Sequence, residues 1–234
     1  SAAQVDLREF PLIRTTLTVR DNSGLPIQDL RPDQVQVIEN NEVIPLKDMQ
    51  AFDAGVHFIL AINADIALDK RDSSNTSIYE YLLQKFIDFP QTNLENSNDT
   101  YSLTLNDSRQ YRRLSDPNSW RSALLAYQPD MRKAAGKIDS LKEAIDIASY
   151  AEGDQDQVLL YITPEPRMED LQTLETLRER ASQTNLVINV WMVGNDYVLT
   201  TARGQALLAL VESTGGSLII YDAKGDLPEP SSYI

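Results

Sequence analysis

The chain has 234 residues, 42% of them hydrophobic and 24% charged, with no cysteine and a formal net charge of −14. That composition fits one globular α/β domain with room for a small appendage, and it excludes disulfides and thiolate metal centres. The acidity argues against nucleic acid, whose phosphates need lysine and arginine, and no apolar run reaches the roughly 18–20 residues that would insert in a bilayer.

The first residues, "SAAQVDL", read as a trimmed start or a small-residue cleavage site. From about 9 to 50 the sequence carries short β-type runs separated by turn chemistry. "TTLTVR" alternates through Leu17 and Val19, "DNSG" (Asp21 to Gly24) signals a turn, and "QVQVIE" alternates through Val35 and Val37. Asn40 and Asn41 then precede "EVIPL". The expected element is one hairpin plus an edge strand, a lead-in over 1–52 that packs on the main domain.

From residue 56 apolar strands alternate with amphipathic helices. The strand candidates are "VHFILAIN" (56–63), "YSLTLND" (101–107), "QVLLYIT" (157–163), "LVINVWMVG" (186–194) and "SLIIYD" (217–222). Most are continuous apolar runs, as parallel strands covered on both faces require. Between them, helical stripes run through Ile78, Leu82 and Phe86; through Leu141, Ala144, Ile145 and Ala148; through Leu171, Leu174, Leu177 and Ala181; and through Leu207, Leu210 and Val211. Asp116 and Pro117 in "DPNSW" make a helix start, and Gly215-Gly216 ends the last helix. The two halves of "YSLTLNDSRQYRRL" predict one antiparallel edge strand. The fold class is α/β, a doubly wound, mainly parallel sheet with helices on both faces, over 53–226. The proline-rich "LPEPSSYI" over 227–234 reads as an exit linker, and the chain as a piece of a longer protein.

In open α/β sheets ligands bind beyond the carboxyl ends of the strands. The residues there are Asn63, Ala64, Asp65, Ile66 and Ala67 after the first strand, Pro164, Glu165 and Pro166 after the "QVLLYIT" strand, and Gly136 to Ser140 before the next helix. This order of elements resembles the von Willebrand factor type A domain. The lead-in strengthens the resemblance. Val19, Asp21, Gly24, Pro26, Leu30, Asp33, Val35, Val37 and Glu39 match the stretch that precedes such domains in related bacterial proteins, with Gln34 in place of a Phe and Asn40 or Asn41 in place of a Gly.

Domains of this family often hold a divalent metal at an adhesion site built from D-x-S-x-S, a second-loop Thr and a third-loop Asp. Here those positions fall on Asn63, Asp65, Ala67, Asp139 and Pro164, with Thr163 retained before the last. Asn63 is neutral, and Ala67 and Pro164 offer no side-chain oxygen for the hard, near-octahedral shell of Mg²⁺. The resemblance therefore implies a degenerate site, no cofactor, and a recognition surface over 63–77, 136–140 and 163–168, with Asn63, Asp65, Asp139, Thr163 and Glu165 as its candidate residues. The alternative keeps a weak Mg²⁺ or Ca²⁺ on Asp65 and Asp139. Asp65, Asp69 and Asp72 lack the spacing of an EF-hand and are expected to cap turns or face water.

His57, the only histidine, begins a buried strand away from the carboxyl end, with no G-x-S-x-G elbow to partner it. It reads as a structural imidazole. Trp191 reads as core, and Trp120 as partly exposed near Tyr127. Glu152, Asp154 and Asp156 read as solvated, Asn75, Asn98 and Asn106 begin N-x-[ST] triplets, and Arg109, Arg112 and Arg113 form the one cationic patch, expected to guard an edge strand. The expected function is a non-catalytic module for an unidentified protein partner, in an extracytoplasmic bacterial parent; the runner-up is a metal-dependent adhesion domain, and behind it a metal-dependent hydrolase.

Overall fold

The computed structural model describes residues 3–6, 14–17, 19, 30–50, 55–87, 89, 98–134, 136–150, 155–221 and 227–233. The chain divides after Asp53 into two compact units. In the first, β1 (Ala3–Asp6) pairs antiparallel with β2 (Arg14–Leu17), and β3 (Val37–Glu39) with β4 (Glu42–Ile44). Asn40 and Asn41, at φ +50° and +66°, make the tight turn between β3 and β4. Successive positive φ values suit the right-handed twist of a two-residue hairpin, and asparagine tolerates them. The "DNSG" turn with Asp21 and Gly24, and Pro26, lie outside the described residues, whereas Val19, Leu30, Asp33, Val35, Val37 and Glu39 lie within them. β1 was not expected, because "AQVD" carries a single large apolar side chain, Val5, and its strand exists by pairing with β2.

The second unit is built on a six-stranded sheet. Its strands are β5 (Val56–Ile62), β6 (Thr100–Leu105), β7 (Gln110–Leu114), β8 (Asp156–Pro164), β9 (Leu186–Val193) and β10 (Leu218–Tyr221), in the order β10-β9-β8-β5-β6-β7. All neighbours are parallel except β7, which returns antiparallel on β6 at the edge. The helices among the described residues are α1 (Ile78–Ile87), α2 (Pro117–Leu125), α3 (Asp139–Ser149), α4 (Leu171–Ala181) and α5 (Ala202–Ser213).

Alternation along β5 feeds two cores. Phe58, Leu60 and Ile62 join α1 and α2 on one face; Ile59 and Ala61 join α3, α4 and α5 on the other. Each fully buried leucine or isoleucine here contributes about 1.5–3 kcal/mol relative to exposure. The first core is aromatic, with Phe86, Phe89 and Tyr101 around Trp120. Trp120 is fully buried and donates its indole N–H to Ser102 O at 3.0 Å, so the expectation of partial exposure is corrected. Its position in the first turn of α2 is fixed by Asp116, which caps Asn118 and Ser119 as expected.

The chain runs outward from β5 through β6 to β7, then crosses back to place β8 on the other side of β5. The loops after β5 and β8 therefore lead to helices on opposite faces, and a crevice opens between them. Residues 227–233, read from sequence as a linker, pack on this unit instead. Leu227 is buried, Lys85 pairs with Glu229 at 2.5 Å, and Trp191 Nε1 donates to Tyr233 Oη at 2.9 Å.

Candidate functional site

The carboxyl ends of β5 and β8 are held in register by their ladder, which ends with Asn63 N donating to Ile162 O at 2.8 Å. That pairing sets Asn63 beside Thr163. Asn63 Nδ2 donates to Thr163 Oγ1 at 2.9 Å, and Thr163 Oγ1 donates in turn to Pro164 O at 2.9 Å. From β6's end, Asn106 Nδ2 donates to Asn63 Oδ1 at 3.0 Å and to Ala64 O at 2.9 Å. Asn63 and Thr163 are buried. The phenol of Tyr161, kept neutral chiefly by burial, lies beside the same two side chains. Every member of this chain of hydrogen bonds is uncharged.

Asp65 is turned elsewhere. Its Oδ1 accepts from Ala67 N at 3.1 Å, capping the 3₁₀ turn Ile66–Asp69, and its Oδ2 packs against Gly136. Gly136 has φ +51°, and a Cβ there would meet Asp65 Oδ2 at 2.3 Å, so both the backbone and the neighbour require glycine. Asp65 thereby touches the loop that leads to Asp139, which stands exposed in the first turn of α3. Glu165 is spent on Arg203, at 2.6 Å, with Thr201 Oγ1 at 3.0 Å. Of the five predicted site residues, the structure joins Asn63 to Thr163, places Asp65 and Glu165 in separate contacts, and leaves Asp139 exposed.

The positions that the resemblance assigns to a Mg²⁺ shell carry few oxygen ligands. Asn63 points a donor at Thr163, Ala67 and Pro164 lack side-chain oxygens, and among the described residues no three of His, Cys, Asp and Glu gather as a metal group. Asn106 Oδ1 is a buried acceptor with no partner among the described residues, but one neutral carbonyl oxygen does not balance a divalent ion. Asp72 accepts from Ser74 N, Thr76 N and Tyr81 Oη, and the Tyr81 bond does most to hold its carboxyl below the usual range. Asp69 pairs with Arg71 at 3.3 Å.

A different feature of this end escaped the sequence reading. Each of the 3₁₀ turns that follow β5, β8 and β9 presents one large apolar side chain to solvent. These are Ile66 at 62%, Met168 at 64% and Tyr197 at 74% exposure. Hydropathy alone assigns such residues to a core; the sign in the sequence is their place one or two residues past Asp65, Arg167 and Asn195, the N-caps of those turns.

No family model and no curated protein matches this sequence. Among solved structures, the SpRpn10 VWA domain aligns with 72% of this chain and 88% of its own, at TM-score 0.52 and 19% identity. An aerotolerance-related membrane protein of Bacteroides fragilis aligns over 72% and 92% at TM-score 0.48 and 15% identity. The vWF domain of the type V pili tip protein Mfa5 of Porphyromonas gingivalis aligns over 73% and 91% at TM-score 0.48 and 9% identity. With the first of these and the sheet order above, the fold is that of a von Willebrand factor type A domain.

Proposed function

We propose that this chain is a non-catalytic protein-interaction module that takes its partner on the loops beyond β5, β8 and β9 without a divalent metal. The observation that carries the reading is that the turns after the neighbouring strands β5, β8 and β9 each expose one large apolar side chain, Ile66, Met168 and Tyr197, at the sheet end that also carries the uncharged Asn63–Thr163 pair. Exposed apolar groups rimmed by polar ones mark interaction surfaces, and aromatic and methionine side chains are favoured anchors. Tight binding then rests on apolar burial and shape, not on a carboxylate completing a metal shell.

The fold supports an interaction role, and the chemistry of the loops supports no reaction. The single histidine is fully buried at the amino end of β5, away from them. An extracytoplasmic bacterial parent protein belongs to this reading through the lead-in resemblance.

The test has two arms. Melting midpoints in EDTA and in millimolar Mg²⁺, Mn²⁺ or Ca²⁺ should coincide, because a ligand that binds only the native state would raise them, by about 2.7 kcal/mol at a hundredfold excess over its dissociation constant. A rise that disappears in Asp65→Ala would replace this reading with metal-dependent adhesion on Asp65 and Asp139. Once a partner is isolated, Ile66→Ser with Met168→Ser and Tyr197→Ser should abolish binding at an unchanged melting midpoint. An alanine set at Asp65, Asp139 and Glu165 should leave it intact; the reverse pattern would overturn the proposal.

A further inference from the structure

The edge strand β7 carries an irregularity with a chemical result. Tyr101 pairs with Leu114 and Leu103 with Tyr111, so two residues of β6 are spanned by three of β7. The extra residue is a bulge, and Arg113 takes φ +48° in it. Strict alternation would send consecutive side chains to opposite faces. Here Tyr111 and Leu114 both pack on the aromatic core, and the bulge sets Arg112 and Arg113 side by side between them. Arg112 lies within electrostatic reach of Glu143 of α3, and the charge of Arg113 is felt by His57.

Both guanidiniums are held, but by neutral groups. Arg112 Nε and Nη2 donate to Gln110 Oε1 at 3.1 and 2.6 Å, and Arg113 Nη1 donates to Gln155 Oε1 at 2.9 Å. Among the described residues neither has a carboxylate at ion-pair distance, which is true also of Arg121 and Arg132, whereas Arg31, Arg71, Arg109, Arg167, Arg178, Arg180 and Arg203 all do. Arg109 is further occupied over the Tyr127 ring. Arg113 is partly buried, and loss of water lowers its pKa with no anion to offset it. An arginine that only guards an edge needs to be charged and wet. Desolvating it and fixing its plane has a cost that a guard does not require.

We infer that Arg112 and Arg113 form a second docking site, which takes the carboxylates of an acidic segment of a partner protein. The planar fork of each guanidinium matches a carboxylate, and glutamine carbonyls hold the forks in place before binding. Glu143, with Asp139 and Asp146 near it on α3, lines one side with negative charge. Spaced carboxylates can each meet one guanidinium, whereas the closely spaced phosphates of a nucleic acid would also be brought against Glu143. This site is independent of the loops beyond β5, β8 and β9.

The test is fluorescence anisotropy of the whole chain with a labelled octapeptide alternating Glu and Thr, against the same peptide with Gln for Glu. The acidic peptide should bind about tenfold more tightly and weaken with salt. Arg112→Gln, at an exposed position and with the melting midpoint unchanged, should remove most of that preference, and Arg112→Lys should retain part of it. Equal binding of the two peptides would overturn the site, as would an unaltered preference in Arg112→Gln. Competition by an oligothymidylate as effective as by the acidic peptide would mean a general anion patch and would overturn the protein partner.

Discussion

The two ends of β5 are closed by buried polar side chains of different kinds. At the carboxyl end, Asn63 is bonded to both Thr163 and Asn106, and none of the three can take up or release a proton near neutral pH. At the amino end, His57 Nε2 lies 2.7 Å from Ser102 Oγ, which also accepts from Arg113 N at 2.9 Å. Burial, helped by the nearby Arg113 charge, pushes the imidazole down to about 4. One end is built from groups that are always neutral. The other stays neutral only while the pH is well above that value. The difference separates an end whose polar groups keep one charge state at any ordinary pH from an end that acid can charge.

The largest expected effect comes from giving the neutral end a charge. Asn63→Asp replaces the donor facing Thr163 by a buried carboxylate, at a position 1% exposed, and should cost about 3–4 kcal/mol in urea unfolding at pH 7. The loss should fade as the pH falls and the carboxyl is protonated, and Mg²⁺ should not restore it. Full rescue by Mg²⁺ would erase the contrast between the two ends.

Next comes acid. The folded-state pKa of His57, about 4, lies below the unfolded value of 6.5, so the unfolded chain binds the proton first. Its contribution is complete above pH 6.5 and is lost as the pH falls through 4. The stability difference between the native chain and His57→Gln should therefore shift against the native chain by about 3 kcal/mol from pH 7 to below 4. A difference independent of pH would show that the imidazole is not held neutral.

The smallest effect sharpens the geometry of the neutral end. Gly136→Ala should cost about 2 kcal/mol, part from φ +51° and part from Asp65 Oδ2. In an Asp65→Ala background only the backbone part, about 1 kcal/mol, should remain. Equal costs in both backgrounds would separate Asp65 from Gly136.

The sheet and its helices were legible because their signals are local. Continuous apolar runs gave the parallel strands, and Asp116 with Pro117 gave the start of α2. Asn63 and Thr163 could be named from their place beyond strand ends, but the bond between them depends on the pairing of β5 with β8, across 100 residues. Three things depended on distant partners and were missed. Trp120 is buried by aromatic residues of α1 and β6; Tyr233 is held by Trp191; and Tyr111 and Leu114 both reach the core, with Arg112 and Arg113 between them, only because of a one-residue bulge. A period-two reading of "QYRRL" separates Tyr111 from Leu114. Exposure of Ile66, Met168 and Tyr197 was missed for the opposite reason, since apolar residues next to a strand are ordinarily counted with the core.

The bond from Trp120 to Ser102 O has an optical consequence. Ser102 is at once the residue that receives the indole N–H and the one whose hydroxyl meets His57. A positive charge arriving on the imidazole therefore appears one residue away from a rigid, fully buried indole. Imidazolium quenches tryptophan emission and shifts its energy, so the emission of Trp120, read against that of Trp191, should change as His57 takes up its proton.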